Sequence, residues 1–141
     1  MYFVSVLQSI IIDHNLIKMQ IEVDGKTFED NVVYLILCNG PREGGGFPVA
    51  PDALVDDGLL TYMIMSKVSR LQMLYFLPIV MSAKHPRYTK VFEGGHTDKF
   101  VVETDKTMAI HADGEIFGPW EANVRKLEVT MIPAALRVLT C

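Results

Sequence analysis

The chain has 141 residues, half of them hydrophobic and 21% charged, with a formal net charge of −4. That is the size of one domain, with enough apolar content for a core rather than a disordered tail. The acidic balance excludes the global basic field that gathers nucleic acid, and two cysteines without metal-ligand spacing call for neither a zinc site nor an oxidising compartment.

The opening stretch, Met1 to Ile12, is apolar, with Phe3, Val6, Leu7, Ile10 and Ile11 at helical spacing. It has no basic residue before Asp13 and no small-residue cleavage site, and it is too short to span a bilayer. A buried helix is predicted, and a cytoplasmic location is the default. Lys18 to Val23 alternates cleanly and predicts a half-buried strand. Asp24-Gly25 is a hairpin signal, with Lys26 to Asp30 as the return. Val32 to Cys38 is apolar and partly β-branched, which predicts a central strand buried on both faces.

A glycine- and proline-rich loop follows, from Asn39 to Gly58, and then a strand from Leu59 to Ser66. Ser69 offers an N-cap for a helix over Arg70–Met81, whose Leu71, Leu74, Tyr75 and Leu77 are apolar; Pro78 should kink or split it, and His85-Pro86 marks the exit. The rest reads as a β meander: Thr89–Phe92, Lys99–Glu103, Thr107–Ala112, Arg125–Ile132 and a last strand from Ala135 to Leu139. Together these predict an α+β, mainly β fold, with two packed antiparallel sheets in a β-sandwich-like arrangement and about two helices.

Two places in this pattern invite chemistry. Gly44, Gly45 and Gly46 can take positive φ, while Pro48 and Pro51 stiffen the return path, so the loop spends its sequence on backbone shape. Its exposed N–H groups, with Asn39, suit an anion; a shaped connection between strands is the plainer use. At its end, Asp57 and neighbouring carbonyls suit a hard cation, although spacing alone favours an Asp-Gly turn in which Asp57 accepts a backbone N–H. The second place is Asp113-Gly114-Glu115, two carboxylates on one tight turn: a general base or a solvated hairpin. Asp24-Gly25 is the internal control, the same dipeptide with no chemistry expected.

Other residues are weaker signals. His14, His85, His96 and His111 lack zinc-like spacing, and His111, two residues before Asp113, reads first as a surface or core histidine. Trp120 reads as packing. Met63, Met65, Met73 and Met81 suit an apolar lipid cleft, but core packing is the first reading of each. Lys84, Arg87 and Lys90 around Tyr88 suit an anionic membrane surface and a solvated loop equally. No Gly-x-Gly-x-x-Gly opens a helix, and no Gly-Lys-Ser/Thr occurs.

Asn39-Gly40, Gly44-Gly45-Gly46, Ala50-Pro51-Asp52-Ala53, Asp56-Asp57-Gly58-Leu59-Leu60 and Asp113-Gly114-Glu115 stand in an order and separation that resemble the C-terminal domain of the diacylglycerol kinase-like lipid kinases. Ser69-Arg70 and Ile132-Pro133-Ala134-Ala135-Leu136 extend the resemblance over nearly the whole chain. It implies that residues 1–141 are a single domain, the lipid-binding and catalytic part of a two-domain, ATP-dependent enzyme. The Gly-Gly-Asp-Gly-Thr nucleotide loop of that family's first domain does not occur here, so ATP is expected to be bound mainly by a missing N-terminal domain. The resemblance further implies that Asp113 or Glu115 supplies the base for a diacylglycerol-like hydroxyl. It also implies that the Asp57 carboxylate and the backbone carbonyls of Leu54 and Leu59 hold a structural Mg2+. Expected partners are the lipid, the nucleotide-binding domain, a peripheral membrane surface and, through the apolar interface of a lone half-enzyme, a second copy. The competing reading is a non-catalytic β-rich module that holds a lipid or a protein.

Overall fold

A computed structural model describes residues 10, 15–113, 115–118 and 120–136. Strands β1 (Ile17–Val23), β2 (Lys26–Cys38), β3 (Leu60–Ser66), β4 (Phe92–Thr97), β5 (Lys99–Thr104) and β8 (Lys126–Thr130) form one antiparallel sheet in the order β4-β3-β2-β1-β5-β8. Strands β6 (Ile110–Ala112) and β7 (Glu115–Gly118) form a separate hairpin. Helix α1 (Arg70–Met81) is the α-helix of residues 15–136 that are described, and short 3-10 turns lie at Gly44–Gly46, His85–Arg87 and Trp120–Ala122. The mainly β, sandwich-like class is the one expected. The helix foreseen over Met1–Ile12 lies outside the described residues except for Ile10, which is helical and buried.

The two faces of the sheet follow from the period-2 geometry of a strand. On one face Ile17, Met19, Ile21 and Val23 of β1 pack with Val32, Tyr62, Ile64, Phe100, Val102 and Met108. Ile110 of the hairpin packs against this cluster, which ties the small sheet to the large one. The other face divides. Under α1, Ile36, Met63, Met65 and Phe92 meet Phe76 and Val80 of the helix. Beyond the helix the same face turns to water, and its charges pair across strands: Lys18 with Glu29 at 2.7 Å, Lys99 with Glu128 at 2.7 Å, and Lys126 with Glu103. Strand β3, at the covered end, is therefore buried on both faces along all seven residues.

Several local expectations change. The predicted pair Lys26–Asp30 and Val32–Cys38 is one 13-residue strand with a register shift between Val32 and Tyr34. The extra residue there keeps Val32 and Leu35 facing the same cluster, which a regular alternation would not allow. The strand expected at Thr89–Phe92 instead begins at Phe92 and runs to Thr97. Glycine ordinarily weakens a strand, yet Gly94 and Gly95 are what lets β4 pair with β3: a Cβ at Gly95 would stand 2.9 Å from Tyr62 Oη, and one at Gly94 would stand 3.0 Å from the Tyr62 carbonyl. Helix α1 is not split by Pro78, which lies exposed within it. Strand β6, three residues long, is shorter than the strand foreseen at Thr107–Ala112, and β7 was not foreseen. Ala135 and Leu136 are not in a strand, and the rest of the expected last strand lies outside the described residues.

The helix itself is locally encoded. Ser69 Oγ accepts from Gln72 N at 3.3 Å while Gln72 Oε1 accepts from Ser69 N at 2.8 Å, a reciprocal capping box. Asp24 and Gly25 both take positive φ, +51° and +71°, the pair of left-handed residues that closes a two-residue hairpin with the twist of its strands.

Candidate functional site

The glycine loop leaves β2 at Asn39 and returns at β3. Glu43 and Phe47 exchange backbone bonds, Glu43 N to Phe47 O and Phe47 N to Glu43 O, both 2.9 Å, and so clamp the glycine turn between them. Gly46, at φ +89°, donates its N–H to Glu43 O at 3.1 Å, and Arg42 Nη1 donates to its carbonyl at 2.9 Å. That Gly46 amide is spent inside the turn rather than offered to an anion. Further along, Val49 O accepts from His85 Nε2 at 3.0 Å, which ties the loop to the exit of α1.

The Asp113 turn shares with its control the conformation of the Asp and the pairing of its flanks. Asp113 sits at φ +51°, as Asp24 does, and Ala112 pairs with Glu115 across two residues as Val23 pairs with Lys26. The φ of the Asp does not separate the two turns; their surroundings do. His111, on β6, places Nε2 3.7 Å from Glu43 Oε1, so the hairpin that carries Asp113 and Glu115 meets the glycine loop. Both turn carboxylates are exposed, and the next two residues, Ile116 and Phe117, are 76% and 73% exposed. A pair of carboxylates beside two uncovered apolar side chains suits a reacting group that joins a polar hydroxyl to an apolar body.

At the far end of the loop, Asp57 Oδ1 accepts from Leu59 N at 2.9 Å, and Gly58 takes φ +75°. This is the Asx-type turn that spacing alone favoured. The remaining Asp57 oxygen and the carbonyls of Leu54 and Leu59 are hard oxygen donors, which fits Mg2+ in kind; the side chains of Leu54 and Leu59 point away from the core and are exposed. Among the described residues no three His, Cys, Asp or Glu side chains group as metal ligands, so a cation here would rest on one carboxylate and on carbonyls.

The other candidates sort by burial. Met63 and Met65 pack beneath α1 with Met73 beside them, as ordinary core. Cys38 ends β2 half-buried, and burial, with Glu43 nearby, pushes its thiol up to about 11, which leaves it protonated and unreactive at neutral pH. Lys84, Arg87 and Lys90 are exposed. His14, Cys141 and the Trp120 side chain lie outside what is described. A cleft of about 150 Å³ opens between Val49, Asp52, Thr61, Tyr62, His85 and Gly95, well short of the several hundred Å³ that a drug-sized ligand fills. At its rim Thr61 Oγ1 lies 3.0 Å from His96 Nδ1, and His96 Nε2 lies 3.4 Å from Asp52 Oδ2. Neither this chain of contacts nor Glu43 stood out in the sequence, because their partners come from separate strands and loops.

Comparisons with known proteins give the family and the fold. The diacylglycerol kinase of Staphylococcus carnosus (strain TM300) is 25% identical over 113 residues, 79% of this chain and 36% of its own length. A probable lipid kinase YegS-like protein of Shewanella frigidimarina (strain NCIMB 400) is 25% identical over 117 residues, 83% of this chain and 36% of its own length. The chain thus spans about a third of the curated relatives it matches. A crystal structure of a diacylglycerol kinase from Bacillus anthracis str. Sterne shares the fold, with a TM-score of 0.67 at 18% identity over 94% of this chain and 42% of that one. The family described as the YegS C-terminal NAD kinase beta sandwich-like domain matches residues 1–140, and the chain belongs to it, as its resemblance to the C-terminal domain of diacylglycerol kinase-like lipid kinases implied.

Proposed function

We propose that this chain is the base-bearing, lipid-facing domain of an ATP-dependent kinase that phosphorylates the hydroxyl of diacylglycerol or a related lipid. The observation that carries the reading is the Asp113–Glu115 turn, exposed beside Ile116 and Phe117 and joined to the glycine loop through His111 and Glu43. The names of the relatives supply the reaction class: a diacylglycerol kinase and a YegS-like lipid kinase.

In this reading the lipid hydroxyl approaches one of the two carboxylates. That carboxylate orients the hydroxyl and accepts its proton as the oxygen attacks the γ-phosphorus, and ADP leaves. Ile116 and Phe117 line the approach of the apolar body. His111 and Glu43 hold the hairpin against the loop, so the base has a fixed position. The nucleotide phosphates are bound by another domain of the full protein. Mg2+ held by Asp57, Leu54 and Leu59 would supply an electrostatic lock on the loop rather than carry phosphates. The 150 Å³ cleft is too small for two acyl chains, so the apolar walls of the lipid site would form against that second domain.

The test is phosphoryl transfer from radiolabelled ATP to a panel of diacylglycerol, a sphingoid base and a phosphatidyl alcohol, with this chain as part of the protein that contains the nucleotide-binding domain. At least one of Asp113→Asn and Glu115→Gln should lower turnover by roughly 10²–10⁴-fold, and Asp24→Asn should leave it near wild type. Full turnover in both turn variants would remove the base from this domain.

A further inference from the structure

The outer surface of α1 presents a stripe at helical spacing: Leu71, Leu74, Tyr75, Pro78 and Met81, all exposed, with Leu71 at 78%. Such a stripe ordinarily faces a core, and here Phe76 and Val80 on the opposite side already do so. The charges around it are segregated. From Gly58 to Phe92 the chain has five Lys and Arg residues and no Asp or Glu, although its formal net charge is −4. Lys67 pairs with Asp30 at 2.8 Å. Among the described residues, no carboxylate pairs with Arg70, Lys84, Arg87 or Lys90. The lysines of the open sheet face behave differently, since Lys18, Lys99 and Lys126 each have a glutamate partner.

We infer that this surface is a docking face for an anionic lipid bilayer. An apolar helical stripe with cationic flanks lies in the membrane interface, with the apolar side chains among the acyl chains and the cations at the headgroups. Tyr75 and Tyr88, 62% and 38% exposed, suit that depth because each joins an apolar ring to a polar tip. A second copy of the chain fits less well, since a symmetric contact would oppose four unpaired cations to four more. The inference stands apart from the kinase reading, because it uses neither the Asp113 turn nor a nucleotide.

Co-sedimentation of the chain with vesicles of phosphatidylcholine, with and without phosphatidylglycerol, tests it without ATP. The chain should pellet with the anionic vesicles and be released by salt. The triple variant Lys84→Glu, Arg87→Glu, Lys90→Glu should weaken binding by about 10²-fold, at roughly fivefold for each lost cation. Leu71→Glu with Tyr75→Glu should weaken it at low and high salt alike. Lys18→Glu, Lys99→Glu, Lys126→Glu changes the net charge equally on the open sheet face and should bind nearly as wild type. Circular dichroism and thermal melts confirm that each variant is folded. No binding by the wild type, equal loss in the two triple variants, or a dimer dispersed by Leu71→Glu without vesicle binding would each overturn the inference. The binding readout uses no ATP and no phosphoryl transfer, so its failure is distinguishable from failure of the kinase reading.

Discussion

His85 makes the stability of the glycine loop depend on pH. Its ring is 2% exposed, Nε2 donates to Val49 O at 3.0 Å, and Nδ1 is buried with no partner among the described residues. Because Val49 O can only accept, the neutral ring must carry its hydrogen on Nε2, and protonation would put a charge on the enclosed Nδ1. Burial accordingly lowers the His85 pKa, against weaker opposing effects from the Val49 hydrogen bond and the Asp52 charge. The unfolded chain takes up this proton near pH 6.5, before the folded chain does. Below that pH the unfolded state therefore binds more protons, and stability falls as pH falls; above it the contribution is complete. Between 6.5 and the lower folded value the slope approaches about 1.4 kcal/mol per pH unit, or about 5 °C in Tm for a domain of this size. His85→Gln keeps an amide donor for Val49 O and removes the titration. Urea melts of wild type and His85→Gln from pH 5 to 8 should give similar stabilities at the alkaline end and diverge below about pH 6.5, with the variant flatter by up to that slope. Parallel pH profiles would refute the assignment of the buried neutral ring.

Two further outcomes are expected. Mg2+ should raise the Tm of the wild type, and Asp57→Ala should abolish that rise in addition to the roughly 1 kcal/mol lost with the Leu59 N–H bond; equal Mg2+ stabilisation in the two proteins would remove the cation site. Ser69→Ala should cost about 1 kcal/mol in denaturant melts, because the capping box loses the hydroxyl that satisfies Gln72 N; an unchanged midpoint would show that the cap contributes nothing.

Several elements with a local physical cause were determined by the sequence by itself. Alternation placed β1, the Asp24-Gly25 pair closed its hairpin, and Ser69 opened α1; the apolar run Val32–Cys38 was expected to be buried on both faces, yet Tyr34 of β2 is exposed and the strand buried on both sides is β3. The glycine loop and the Asp113 turn were likewise legible as motifs. Tertiary structure decided what no window of residues contains. Gly94 and Gly95 weaken a strand in isolation, yet they are accommodated because Tyr62 on the neighbouring strand occupies the space a side chain would take. Asp24 and Asp113 have the same φ, and only the fold distinguishes them, by bringing Glu43 to His111 beside one and not the other. The exposed stripe of α1 reads in sequence as one more core-facing pattern, because periodicity reports that a helix has an apolar face but not whether anything covers it. That is settled by how many faces the sheet can cover, and Phe76 and Val80 already occupy the one beneath the helix.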